Sequence, residues 1–190
     1  MPSRSDVGRT LIAGFGNSLR GDDAFGVDVI SRLAERGVAR AGVDLMEVGT
    51  GGIRLAQELL TPCDRLIIVD AMTRGGAPGT LYVLEVEKVE SVSQIDMHLA
   101  IPSRALSAAQ ALGVLPPTVI LVGCEPLQVD ELLSELSEPV SRAVDEAVNC
   151  IEEILQSSPP SGAAPGTSLH TPPLAGASAL RAGPTSLALE

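Results

Sequence analysis

Two adjacent carboxylates, Asp22 and Asp23, lie within the glycine-rich stretch Gly14-Phe15-Gly16-Asn17-Ser18-Leu19-Arg20-Gly21-Asp22-Asp23-Ala24-Phe25-Gly26. The apolar run Thr10-Leu11-Ile12-Ala13 precedes it and reads as a buried strand; Phe25, Val29, Ile30, Leu33 and Ala34 follow on one face of a helix. The acids thus occupy a strand-to-helix junction, where open α/β sheets usually bind ligands. Acidic side chains there either cap the helix or hold a cation, and capping is the favoured role for Asp22. Asp70 ends the apolar run Leu66-Ile67-Ile68-Val69, and His98 follows the fourth strand. With mostly parallel strands, Asp23, Asp70 and His98 converge on one edge of the sheet. Two carboxylates and an imidazole suit Ni²⁺, Zn²⁺ or Fe²⁺ and leave coordination positions open. The plainer alternatives stand beside this: Asp23 capping a helix, Asp70 opening a turn toward Gly75 and Gly76, and His98 an ordinary surface histidine.

Other chemistries fit less well. A dinucleotide fingerprint beginning at Gly14 and Gly16 would need its third glycine at Leu19, and Asp22 and Asp23 would repel a pyrophosphate. There is no Gly-Lys-Ser/Thr phosphate loop and no Gly-x-Ser-x-Gly nucleophile elbow. Of the two histidines, His170 lies far toward the C-terminus, so a triad would have to use His98. Cys124 is the best nucleophile among weak candidates, and small apolar packing is its favoured role.

The elements that must position these residues alternate along 9–156. Strands are expected at 10–13, 43–48, 66–69, 80–85 and 119–122. Helices are expected after Gly26, at 53–60, at 103–112 with Gly113 closing the last turn, and at 139–155 with Ser137 as cap. In the last of these, Val140, Ala143, Val144, Ala147, Val148, Ile151, Ile154 and Leu155 keep a helical spacing, and Pro139 fits the first turn. Alternating strands and helices imply an α/β fold, three-layer αβα with a mainly parallel five-stranded sheet. One domain spans 1–156. Residues 157–190, rich in Pro, Ala, Ser and Gly, are expected to be a disordered tail.

Composition narrows the function classes. There is no Trp, with two Phe and one Tyr, so the core is aliphatic and platforms for stacking single-stranded nucleic acid are missing. A net charge of −11 argues further against a phosphate backbone as partner. Cys63, Cys124 and Cys150 form no Cys-x-x-Cys pair, the pattern of reduced cytosolic thiols. No run is long enough to span a membrane or serve as a secretion signal. The expectation is a cytoplasmic monomer.

In order along the chain come Gly14-x-Gly16-Asn17, Asp22-Asp23-x-x-Gly26, Gly49-Thr50-Gly51, Val69-Asp70-Ala71, Pro78-Gly79, His98 and Val122-Gly123-x-Glu125-Pro126. Read together over about residues 9–155, this series resembles the nickel–iron hydrogenase maturation endopeptidases. The resemblance implies a three-layer αβα fold and removal of a C-terminal peptide from the precursor of the hydrogenase large subunit, after nickel insertion. It implies Asp23, Asp70 and His98 as the residues that recognise nickel and carry catalysis. Nickel would arrive with the substrate and bind the free enzyme weakly. Gly14, Gly16, Asn17, Asp22 and Gly26 would shape the turn, while Gly49, Thr50 and Gly51 would line the substrate cleft. Three departures stand out. Glu47-Val48-Gly49-Thr50 replaces the family's frequent Asp-Gly-Gly-Thr, Ala24 stands where glycine is common, and Pro102 follows His98 closely.

Two rival functions are a non-enzymatic assembly factor that holds the nickel-loaded subunit, and a nucleotide-binding α/β domain. The full acid–acid–histidine set favours the enzyme over the first. The broken glycine fingerprint counts against the second.

Overall fold

In the computed structural model, which describes residues 8–86, 100–129 and 132–157, the apolar runs form one five-stranded sheet. Its strands are β1 (Thr10–Phe15), β2 (Val43–Gly49), β3 (Arg65–Ala71), β4 (Leu81–Glu85) and β5 (Thr118–Cys124), in the spatial order β2-β1-β3-β5-β4. The first three and β5 are parallel, and β4 pairs antiparallel with β5 at one edge. Strands β1 and β3 are buried at every position, so they read as unbroken apolar runs. The opposite edge strand, β2, exposes Asp44 and Glu47.

Among the described residues, four α-helices cover the two faces: α1 (Phe25–Glu35), α2 (Gly52–Glu58), α3 (Ala100–Ala111) and α4 (Glu138–Gln156). Phe25, Val29 and Leu33 of α1, with Val144 and Val148 of α4, pack on Ile12, Ile67, Val69 and Val122. Leu55 and Leu59 from the α2 end, with Leu106 of α3, pack on Leu11, Ala13, Leu66 and Ile68. The sheet is thus the middle layer between two aliphatic cores, as the sequence pattern implies. No described helix is long and apolar enough to cross a membrane.

The chain leaves β1 through α1 on one face to reach β2, then returns through α2 on the other face to β3. The direction of winding therefore reverses between the neighbouring strands β1 and β3. Such a reversal opens a crevice at the carboxyl ends of the two strands. Both acids of interest follow from those two ends.

Several boundaries differ from the sequence reading. Helix α3 begins at Ala100, not 103, because Pro102 sits in its first turn, where a missing N–H breaks no helical hydrogen bond. Gly113 closes that helix with φ +70°, as expected. Ser137 occupies the N-cap position of α4 but makes no capping hydrogen bond with its side chain. Ser157, assigned to the tail, is the C-cap of α4, its N–H donating to the Glu153 carbonyl (3.2 Å). The remaining tail, 158–190, lies outside the described residues.

The amino edge of the sheet is closed by two arginines. Arg9 pairs with Asp44 (2.6 Å) and with Glu58. Arg65 is buried beneath the end of α4, donating from Nη1 to the Ile154 carbonyl (2.7 Å) and from Nη2 to the Ser157 carbonyl (3.0 Å). A guanidinium there satisfies carbonyls left over at the helix end and meets the negative end of its dipole.

Glycines fix how closely α1 approaches the sheet. A Cβ on Gly26 would overlap the carbonyl oxygens of Val69 and Phe15, and one on Gly14 would overlap the Gly26 carbonyl. The first turn of α1 therefore rests on backbone at the ends of β1 and β3. Replacing Gly26 with Ala should destabilise the fold by about 3 kcal/mol, since backbone cannot yield as a side chain can. Gly37, with φ +69° and no neighbour within 4 Å, should cost only about 1 kcal/mol as Ala. Urea unfolding of the two variants beside the wild type measures the difference.

Candidate active site

The turn after β1 is built around Asn17 and Gly16. The Asn17 N–H donates to both the Asp23 carbonyl (3.2 Å) and Asp23 Oδ2 (3.1 Å), and Asn17 Oδ1 accepts from the Leu19 N–H (3.0 Å). Gly16 has φ +126°, and a Cβ there would overlap the Asp23 carbonyl oxygen, so only glycine lets the turn close. The loop ends in one 3-10 turn, Gly21–Ala24, which packs against β3. Asp23 is thereby held half-buried at the carboxyl end of β1.

Asp70 is buried near the end of β3, sharing the sheet face of Leu66 and Ile68, and pairs in register with Gly123 of β5. Gly123 has no side chain to compete for that space; a Cβ there would meet Met72 at 2.6 Å. Gly49 ends β2 with φ +63°, and its carbonyl accepts from the Gly16 N–H (3.2 Å). Thr50 is exposed beside it, and Gly51 forms the N-cap of α2. The fold therefore gathers Asp23, Asp70 and the 49–51 loop at the carboxyl edge around the β1/β3 crevice. His98 lies outside the described residues, two positions before α3. Among the described residues no three His, Cys, Asp or Glu side chains group as a metal site.

Asp22 does not cap its own helix, contrary to the sequence reading. Neither the 3-10 turn nor α1 has a side-chain cap. The Asp22 carboxylate, fully buried, instead accepts four hydrogen bonds from distant chain. The donors are the N–H groups of Leu127 (2.8 Å), Gln128 (3.1 Å) and Ser137 (2.7 Å) and the Ser137 hydroxyl (2.9 Å). The backbone adds Asp22 N–H to the Gln128 carbonyl (3.2 Å) and Gly21 N–H to the Leu133 carbonyl (2.8 Å). One carboxylate thus ties the Gly-rich turn to the segment between β5 and α4. That use also explains why Ser137 does not cap: its hydroxyl is spent on Asp22.

Glu125 is a further buried carboxylate, to which sequence reasoning gave no role. It accepts from the Tyr82 hydroxyl (2.7 Å) and from the N–H groups of Arg74 (2.8 Å) and Gly75 (3.1 Å). Burial opposes its charge, but these donors outweigh it and hold the carboxyl below its usual range. Tyr82 responds in the other direction: burial and the neighbouring anion push its phenol up to about 12. The clue in the sequence is an acid directly after a fully apolar strand, in a chain with a single tyrosine.

Cys124 is buried in the core and its thiol is pushed up to about 12, first by burial and then by Asp22 and Glu125. It forms no thiolate at neutral pH, so it is no nucleophile. Its packing role agrees with the favoured sequence reading.

The sequence profile described as hydrogenase maturation protease (HycI) matches residues 27–154. The chain is 30% identical over 158 residues to the hydrogenase expression/formation protein HupD of Bradyrhizobium diazoefficiens, covering 82% of each. It is also 30% identical over 167 residues to the hydrogenase 2 maturation protease of Escherichia coli, covering 85% of this chain and 99% of that one. Its fold is similar to that of the hydrogenase maturating endopeptidase HybD from E. coli, with TM-score 0.71, 30% identity, and coverage of 78% of this chain and 92% of that chain. The [NiFe] hydrogenase maturation protease HybD from Thermococcus kodakarensis gives TM-score 0.66 at 28% identity, covering 77% and 98%.

Two outcomes test the buried carboxylates. Asp22→Ala strands four donors and should cost about 3 kcal/mol or more in urea unfolding, since hydrogen bonds to a charged group are each worth about 1.5–3 kcal/mol. For the second, Tyr82 is the sole tyrosine, so tyrosinate absorbance reports it alone. Its phenol is raised from 10.0 to about 12 by folding, so its contribution to stability is complete below pH 10.0 and is lost toward pH 12. The native midpoint should lie near 12, fall clearly in Glu125→Gln, and reach the ordinary value in denaturant.

Proposed function

The chain belongs to the hydrogenase maturation protease family, and from that premise we propose that it removes the C-terminal peptide of a nickel–iron hydrogenase large-subunit precursor. Cleavage follows nickel insertion, and the enzyme recognises the nickel carried by its substrate. The observation that carries this reading is the placement of Asp70 near the end of β3 and of Asp23 on the turn after β1, both at the carboxyl edge where the winding reverses. Among the described residues Cys124, buried and with its thiol pushed up to about 12, is no rival nucleophile beside them. An activating group carried by the substrate fits such a site.

Asp23, Asp70 and His98 are the residues proposed to meet the nickel. Bound there, the metal would polarise the scissile carbonyl or acidify a water molecule. Asp70, buried on a central strand, is a stiffly placed base that can take a proton from attacking water. Asp23, on a turn pinned by Asn17, presents the second carboxylate from the other side of the crevice. Gly49, Thr50 and Gly51 admit the substrate segment beside the Gly16 turn. The three unpaired cysteines suit action in the reducing cytoplasm.

The test is a cleavage assay on the precursor, prepared with and without nickel and read by intact mass. Loss of a C-terminal peptide from the nickel-loaded form alone supports the whole reading. Cleavage of both forms keeps the peptidase and removes the metal sensing. Asp70→Asn should lower kcat at least about a hundredfold, the usual scale for a lost acid–base group, while precursor binding partly survives. Binding by the wild type without any cleavage would instead identify an assembly factor.

A further inference from the structure

The carboxyl edge displays exposed cations and apolar side chains around the crevice. Arg20, Arg54 and Arg74 are exposed there and form no ion pair among the described residues. Elsewhere Arg32 and Arg36 pair with Asp145, and Arg142 with Glu138, while Arg40 and Arg104 are exposed without an ion pair among the described residues. What sets Arg20, Arg54 and Arg74 apart is that all three stand around the crevice. The acids nearest the crevice do not serve them. Asp22 and Glu125 are buried on other donors, and Arg54 reaches the Glu47 carbonyl (3.4 Å), not its carboxylate.

Apolar side chains stand beside these cations. Leu19 is 66% exposed next to Arg20, Ile53 is 73% exposed next to Arg54, and Leu127 is 57% exposed on the loop after β5. The display is also preorganised. The Leu127 N–H is fixed by Asp22, the Arg74 N–H by Glu125, and the Arg74 guanidinium lies over the Tyr82 ring at 5.4 Å. Exposed groups on pinned backbone lose little freedom when they bind, which favours a binding role over a casual surface.

We propose that these six residues form a docking rim around Asp23 and Asp70 for a folded polypeptide whose surface sets carboxylates between apolar side chains. Resting on the function proposed above, that partner is the large-subunit precursor, held through the surface around its cut segment. The rim sets affinity and orientation; the crevice does the chemistry. Rim charges of this kind act mainly on association and its salt dependence.

The experiment measures kcat and KM for the nickel-loaded precursor at low and high salt, with the wild type, Arg20→Glu/Arg54→Glu and Arg40→Glu. Arg40 is exposed near the amino edge of the sheet, before β2, so its reversal changes net charge away from the rim. The double variant should raise KM about tenfold at low salt with kcat within about twofold, and should lose most of the wild type's salt dependence. Arg40→Glu should leave KM near the wild-type value. Equal KM for all three proteins, or equal increases in both variants, overturns the rim while the maturation activity stands. Failure of the wild type to cut the loaded precursor overturns the function itself, and the rim with it. Should the double reversal fold poorly, Arg20→Gln/Arg54→Gln with urea unfolding as a control must show the same direction of change in KM.

Discussion

The buried carboxylate of Asp22 is the constraint on which the site depends. A fully desolvated anion is tolerable only when its oxygens are saturated, and here four donors come from residues more than 100 positions away. The same contact fixes three things at once: the turn after β1, the loop after β5, and the entry to α4. Asp23 inherits its position from this neighbour. Of two adjacent acids, one is spent wholly on architecture, and the other is the one proposed to meet the substrate.

Close backbone contact supplies the second constraint. Gly14, Gly16 and Gly26 let α1 and its preceding turn lie directly on β1 and β3, with no side chain as spacer. This holds the two acids on neighbouring strand ends with little slack. Where the sheet ends, Glu125 does for the β3–β4 loop what Asp22 does for the β5–α4 segment. Each is a buried carboxylate gathering backbone N–H groups that the strand ladder no longer satisfies. Both loops border the crevice, so as many acids build it as are proposed for catalysis.

Much of the layered fold was legible in the sequence because burial on both faces leaves an unmistakable apolar run, as in Leu66 to Val69. The amphipathic stripe of α4 was equally plain. The direction of β4 was not, since its five residues carry no mark of which way they pair; that follows from the loop held by Glu125. The role of Asp22 was also hidden. Its chemistry as a short acid before a helix suggests capping, and its true donors are set by tertiary contacts alone. Ser137 misled for the same reason, having the right residue type at the right place with its hydroxyl already engaged. The place of Asp70 was legible because it lies near the end of a central strand; that of Asp23, on the turn after β1, rests on the loop that Asp22 pins.

The anchoring of α4 by Arg65 gives the molecule a polarity with practical weight. Its last described residue, Ser157, is bonded beneath the sheet at the amino edge, a full strand length from the crevice. The described chain thus ends at the floor of the molecule, with Asp23 and Asp70 at its roof. Changes to Arg65 or to the last turn of α4 are therefore changes at the far end of the sheet, a strand length away from the two acids.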